Sequence, residues 1–220
     1  MDNQQVIERT RAFVKETLQG AEGGHDWFHI ERVYHNALLI ARGEEVNLFI
    51  VELGAMLHDI ADSKFHDGNE LIGPQKAAAF LQSLDIDEEI IDHVIKIINN
   101  ISFKSSLDNT GAKRFDSPEF RVVQDADRLD AIGAIGIARA FNYGGFKNRS
   151  MYDPDILPNL EQDKETYKKS KAPTINHFYE KLLLLKDKMN TSTGKKIAEE
   201  RHVFMEQFLK QFYAEWEGKV

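Results

Sequence analysis

Residues 47–59 read Asn-Leu-Phe-Ile-Val-Glu-Leu-Gly-Ala-Met-Leu-His-Asp, an apolar segment that ends in an imidazole and a carboxylate. Leu48, Val51, Ala55 and His58 recur at helical spacing, which predicts a helix from about Asn47 to His58 with His58 on its inward stripe. His58-Asp59 then lies where the helix stops. A core-facing histidine followed by an acid is the feature from which the rest of the chain is read.

Working outward, almost every segment carries helical and not alternating periodicity. Upstream, a first helix is predicted over Gln4–Leu18, with Val6, Phe13, Val14 and Leu18 inward, ending at Gly23-Gly24. Asp26 is a natural N-cap for a second, whose stripe is His29, Val33, Ala37 and Ile40. Downstream, a fourth helix is predicted from Pro74, which suits a first turn, to about Leu84. Asp87 caps a fifth, with Ile90, Ile91, Val94, Ile97, Ile98 and Ile101 inward. After a polar loop, Ser117-Pro118-Glu119 opens a sixth, predicted as one helix running to Gly144-Gly145 with Phe120, Val123, Asp127, Ala131 and Ala134 inward. Residues 146–173 are poorly periodic and hold Pro154, Pro158 and Pro173, as a lid or a decorated surface loop would. Two C-terminal helices follow, about Thr174–Met189 and Gly194–Trp216, with stripes Ile175, Phe178, Leu182, Leu185 and Ile197, Phe204, Phe208, Phe212. The expected fold is all-α, a helical bundle in one domain over residues 1–220. Its core is expected at about 20–145, with the loop and C-terminal helices as an extension.

With 220 residues, 42% of them hydrophobic, the chain can bury one sizeable core. No apolar run is long enough to span a bilayer, and the polar start lacks the order of a secretion signal, so a cytoplasmic protein is expected. The absence of cysteine excludes disulfides, thiolate metal sites and thiol nucleophiles. A net charge of −8 with scattered basic residues argues against a nucleic-acid binder. An acidic protein can still take a small phosphorylated anion if a cation and a few local bases assist.

His29, His58 and Asp127 fall on the inward stripes of three helices, and Asp59 adjoins the second. Taken singly, an inward histidine is more simply a hydrogen-bonded core residue. Four such groups together are different, because burying even one unpaired polar group costs about 2–7 kcal/mol, which a shared cation removes. Imidazole and carboxylate without sulfur point to Mn2+, Fe2+, Co2+, Zn2+ or Mg2+. Four protein donors leave two positions of an octahedral ion for water and a phosphate oxygen.

The three stretches 29–33 (His-Ile-Glu-Arg-Val), 55–60 (Ala-Met-Leu-His-Asp-Ile) and 125–131 (Asp-Ala-Asp-Arg-Leu-Asp-Ala) resemble the HD superfamily of metal-dependent phosphohydrolases. The opening 25–33, the stretch 127–133 and the tail 176–182 look like its small stand-alone bacterial members of the YpgQ/YedJ type. The resemblance implies an all-helical fold around one divalent metal held by His29, His58, Asp59 and Asp127. Manganese is favoured, with Mg2+, Co2+, Fe2+, Ni2+ or Zn2+ as alternatives. It also implies hydrolysis of a phosphate ester or anhydride, most specifically pyrophosphohydrolysis of a (deoxy)nucleoside triphosphate. Ile101 stands where two-metal relatives show histidine, which favours one metal. The single acid Asp62, followed by Ser63, weakens a (p)ppGpp hydrolase.

Within that scheme Asp62 is expected to orient or deprotonate the attacking water, and Lys64 and His66 to neutralise phosphate oxygens. His25, Arg32, Asn99 and Ser102 are candidates for contact with substrate. Asp130 is a candidate for supporting the metal site or binding the sugar. The structural alternatives are a cap for His25-Asp26, an ion pair for Arg32 and a solvated loop for Asp62 and Lys64. The competing functions are a 5′-nucleotidase on nucleoside monophosphates, a non-catalytic metal-containing nucleotide sensor and a helical scaffold with a structural metal. A small phosphorylated substrate is the expected partner, without nucleic acid or membrane; a homodimer is an open alternative.

Overall fold

The computed structural model describes residues 1–20, 26–60, 71–101, 115–160 and 171–220, and among them it is helical without strands. The chain divides into two compact units, Met1–Asp127 and Arg128–Val220. No helix among the described residues is long and apolar enough to cross a membrane.

The first unit contains α1 (Asn3–Thr17), α2 (Trp27–Ala41), α3 (Leu48–Leu57), α4 (Ile72–Gln82), α5 (Glu88–Asn100) and most of α6 (Pro118–Asp130). Their starts follow the expected caps. Asp26 accepts from the His29 amide, Asn47 from Phe49 and Asp87 from Glu89. The Ser117 hydroxyl accepts from the Phe120 amide. Each of these satisfies an amide that has no partner inside its own helix. α3 is the centre of the unit: it packs on α2, α1 and α5, and α4 packs on α5. Residues 49–51 and 53–57 of α3 are all buried, which is why its sequence is apolar on every side.

The inward stripe predicted for α2 is buried throughout. Elsewhere the faces shift. Leu48 is exposed because it starts α3 on the outer side. Phe13 is half-buried and stacks face to face on Phe80 with ring centroids 4.0 Å apart. Thr10 takes the buried position on α1 and returns its hydroxyl to Val6 O at 2.8 Å. Ile90 is half-buried, while Ile91, Val94, Ile97, Ile98 and Ile101 are buried as expected.

The second unit holds the last three residues of α6, then α7 (Gly133–Phe146), α8 (Thr174–Glu180), two short 3-10 turns at Leu182–Leu184 and Lys186–Lys188, and α9 (Ser192–Trp216). Here three expectations fail. The single helix predicted from Ser117 to Gly144 is two. Ala131 and Ile132 donate to Arg128 O and Leu129 O in tightened i→i+3 fashion, and Gly133 then adopts φ +73, a left-handed conformation that favours glycine. Ala134, predicted inward, is exposed. The helix predicted over 174–189 stops at Glu180, since Lys181 turns to φ −145, ψ −56. Its stripe survives because a 3-10 turn repeats every three residues, which still buries Leu182 and Leu185.

On α9, capped by Thr191, the buried face is Gly194, Ala198, His202, Met205 and Leu209. Phe204 is 49% exposed. α9 packs on α7, and its Phe208 and Phe212 lie against Phe141. Phe208 also stacks on Phe178 at 5.9 Å.

His177 on α8 is mostly buried. Burial first, then the charges of Lys181 and Arg149, push its pKa down to about 3. An unfolded histidine titrates near 6.5. The unfolded chain therefore takes up this proton before the folded one does. The contribution to stability is complete above about pH 6.5 and is lost as pH falls toward 3, reaching about 2 kcal/mol at pH 5. Melting temperatures at pH 7 and pH 5 should thus differ more in the wild type than in His177→Gln. Equal falls in the two proteins would contradict this account.

Candidate metal centre

Three helix ends in the first unit deliver the donors. His29 sits on the first turn of α2, fixed by the Asp26 cap that accepts its amide. His58 is the residue that closes α3, and Asp59 follows it. Asp127 lies in the last turn of α6. At Gly54, one turn before His58, α3 packs tightly on its neighbours: a Cβ there would meet Val123 Cγ2 at 3.3 Å and Ile97 Cδ1 at 3.4 Å. α2 and α6 are tied by Asn36, whose amide donates to Ala126 O at 3.3 Å, next to Asp127.

The donor atoms converge. One ligand atom each from His29, His58 and Asp59 lie within 4.8 Å of one another. Asp127 Oδ1 is 3.6 Å from His29 Nε2 and 3.8 Å from His58 Nε2. Those two separations are too long for hydrogen bonds. They are short enough for the three atoms to share one cation. Both imidazoles are buried, and their rings meet edge to face at 5.4 Å. The Asp127 side chain is 37% exposed, so the donor set meets solvent on that side.

His58 supplies the test of fit. Its Nδ1 lies 2.9 Å from Ala55 O, and a carbonyl can only accept, so Nδ1 carries the proton. In the neutral ring Nε2 is then a bare lone pair. That atom is buried and has no hydrogen-bond partner. Leaving a buried acceptor unsatisfied costs about 1–3 kcal/mol. A ligating histidine that donates its other ring nitrogen to a backbone carbonyl is the usual arrangement in metal sites. Mixed imidazole and carboxylate donors suit a divalent cation of hard to borderline character. The residues present fit such an ion.

Among the described residues His29, His58 and Asp59 form the single group of three or more such side chains within reach of one another, and Asp127 approaches the two histidines of that group. His93 is engaged elsewhere: its Nε2 is 2.8 Å from Ser117 Oγ and 3.4 Å from Glu119 Oε2. Arg32 is half-buried on α2 and Asn99 is exposed on α5. Asp130 belongs to the second unit, where it pairs with Arg139 Nη1 at 2.7 Å. His25, Asp62, Lys64, His66 and Ser102 lie outside the described residues. Sequence reasoning missed the Ala55 carbonyl that orients His58. A backbone group has no residue-type signal, although a carbonyl three residues before a helix-ending histidine is the acceptor nearest to hand.

A family model described as HD domain matches residues 27–132, a span that includes all four donors. YpgQ of Bacillus subtilis is 40% identical over 204 residues, covering 93% of this chain and 90% of that protein. The crystal structure of an HD-superfamily hydrolase from Bacillus thuringiensis is similar with a TM-score of 0.78 at 45% identity, covering 98% of this chain and 99% of that one. The structure of Bacillus subtilis YpgQ in complex with ADP is similar with a TM-score of 0.76 at 38% identity, covering 98% and 97%.

Proposed function

The chain belongs to the HD domain family, and from that premise we propose that it is a metal-dependent phosphohydrolase acting on a nucleotide, specifically a (deoxy)nucleoside triphosphate pyrophosphohydrolase. The observation that carries this reading is the cluster of His29, His58 and Asp59, with Asp127 beside the two histidines and a buried His58 imidazole nitrogen that has no hydrogen-bond partner. The complex of YpgQ with ADP supports a nucleotide as the ligand class.

His29, His58, Asp59 and Asp127 would hold the cation. Bound there, it would supply Lewis-acid polarisation of a phosphoryl oxygen and lower the pKa of water toward neutrality. Manganese is the ion we favour. The chain's own groups do the rest. Ala55 O and the Asp26 cap fix the two histidines before any ligand arrives. Preformed donors of this kind need little reorganisation when charge develops at phosphorus. Asp62 is assigned to orient the attacking water and accept its proton, and Lys64 and His66 to neutralise the departing phosphate oxygens. Hydrolysis then joins the water oxygen to the α-phosphorus, breaks its bond to the bridging oxygen, and releases a nucleoside monophosphate and pyrophosphate.

The test is a substrate panel with metal-stripped protein reloaded with manganese. It holds ribo- and deoxynucleoside mono- and triphosphates and (p)ppGpp, with phosphate and pyrophosphate measured separately. We expect pyrophosphate from triphosphates, lost in Asp59→Ala. Phosphate from monophosphates would replace this reading with a nucleotidase. Silence across the panel by protein that has bound manganese would replace it with a sensor.

A further inference from the structure

Within the first unit, α3 and α6 approach each other at three levels. At their starts the Asn47 amide donates to Glu119 Oε1 at 2.9 Å. Midway, a Cβ on Gly54 would meet Val123 Cγ2 at 3.3 Å. At their ends His58 Nε2 and Asp127 Oδ1 stand 3.8 Å apart. The two helices therefore run side by side in the same direction, and the residues that meet at their ends are donors of the metal centre.

The tie at the starts is made by a carboxylate. Glu119 is 8% exposed, and burying such a group costs several kcal/mol unless hydrogen bonds and charges compensate. Three features offset that cost. Oε1 takes the Asn47 amide in a charge-assisted bond, a stronger kind than a neutral one. Oε2 lies 3.4 Å from His93 Nε2 on α5, and that nitrogen lies 2.8 Å from Ser117 Oγ. Glu119 also stands in the first turn of α6, at the positive end of the helix dipole. An acid at a helix start can keep the dipole contact while facing solvent. What burial adds is the bond to α3: Asn47 is the N-cap, so its amide has no acceptor inside that helix.

Glu119 does not reach the donors. From Glu119 to Asp127 is about 12 Å of helix, and from Asn47 to His58 about 16 Å. Its influence passes through the helices themselves. Close-packed elements transmit a displacement and do not absorb it, so a slip of α6 against α3 at the starts is felt at the ends.

We propose that Glu119 is a positioning residue for the metal centre. By holding the start of α6 to the start of α3, with His93 beside it, Glu119 sets the register in which Asp127 meets His58. The proposal rests on the metal reading above.

The experiment titrates manganese into the full chain by calorimetry, beside a thermal melt of each variant. Glu119→Asp keeps the charge but draws the oxygens back from the Asn47 amide by one methylene. It should weaken manganese binding by about tenfold, the lower end of the cost of removing groups that orient metal ligands. Glu119→Ala should weaken it at least as much. Glu119→Gln keeps an oxygen at the same reach and should bind within about threefold of the wild type, since a neutral acceptor still satisfies the amide. Leu81→Ala is a core truncation on α4, which carries none of the donors. It should lower the melting temperature with affinity unchanged within about threefold, as effects at separate sites are nearly additive. Wild-type affinity in Glu119→Asp or Glu119→Ala overturns the proposal alone. So does a loss in Glu119→Gln or Leu81→Ala equal to that of Glu119→Asp. A wild-type chain that binds no manganese overturns the metal centre and the proposal together.

Discussion

Asp127→Ala should abolish divalent-cation binding and, with it, turnover. The carboxylate lies 3.6 Å from His29 Nε2 and 3.8 Å from His58 Nε2. Without it the two buried rings face each other with no anion to offset the charge of an incoming cation. The loss in affinity should exceed the 10–100-fold, in order of magnitude, that outer-group substitutions cost. A readout independent of chemistry is available. An ion that binds only the folded state stabilises it by about 2.7 kcal/mol at a hundredfold excess over its dissociation constant. Manganese should therefore raise the melting temperature of the wild type and leave that of Asp127→Ala unmoved. A variant that keeps the metal-induced shift would show that Asp127 is not a donor.

The second large effect is structural and needs only one methyl group. Gly136→Ala places a Cβ 2.2 Å from Ala131 O and 2.5 Å from its carbonyl carbon. These are backbone atoms of the turn that separates α6 from α7, so no side chain can swing aside. Overpacking of this severity reaches or exceeds the upper end of the usual 1–3 kcal/mol, so we expect about 3 kcal/mol or more. For a chain of this size that is a fall in melting temperature of roughly 6–12 °C. Gly145→Ala is the matched contrast. It lies in the same helix, a Cβ there meets nothing within 4 Å, and alanine is the better helix former, so stability should rise slightly. Equal responses of the two variants would refute the close approach as the cause.

The first unit was largely readable from residue order because its signals are local and mutually consistent. Asp26, Asn47, Asp87 and Ser117 announce helix starts, and the stripe His29-Val33-Ala37-Ile40 is buried as spaced. His29 and His58, expected on inward stripes, are buried, whereas Asp127, also expected inward, is 37% exposed at its side chain. The second unit was harder because its breaks come from tertiary geometry. Nothing in Asp130-Ala131-Ile132-Gly133 interrupts a helical hydrophobic pattern, yet Gly133 turns left-handed beside Arg201. Lys181 ends α8 while the leucines after it keep facing inward through 3-10 spacing. On α9 the large Phe204 suggested the buried face, but it is 49% exposed and the buried face is Gly194, Ala198, His202, Met205 and Leu209.

The placement of donors at residues 29, 58–59 and 127 has a kinetic meaning. Each individual helix can form on its own within a microsecond or so. The binding geometry cannot, since it waits for the closure of a long stretch of chain and the docking of the start of α2, the end of α3 and the end of α6. Cation uptake during refolding is therefore a clock for the last long-range step, and should trail the recovery of helical circular dichroism.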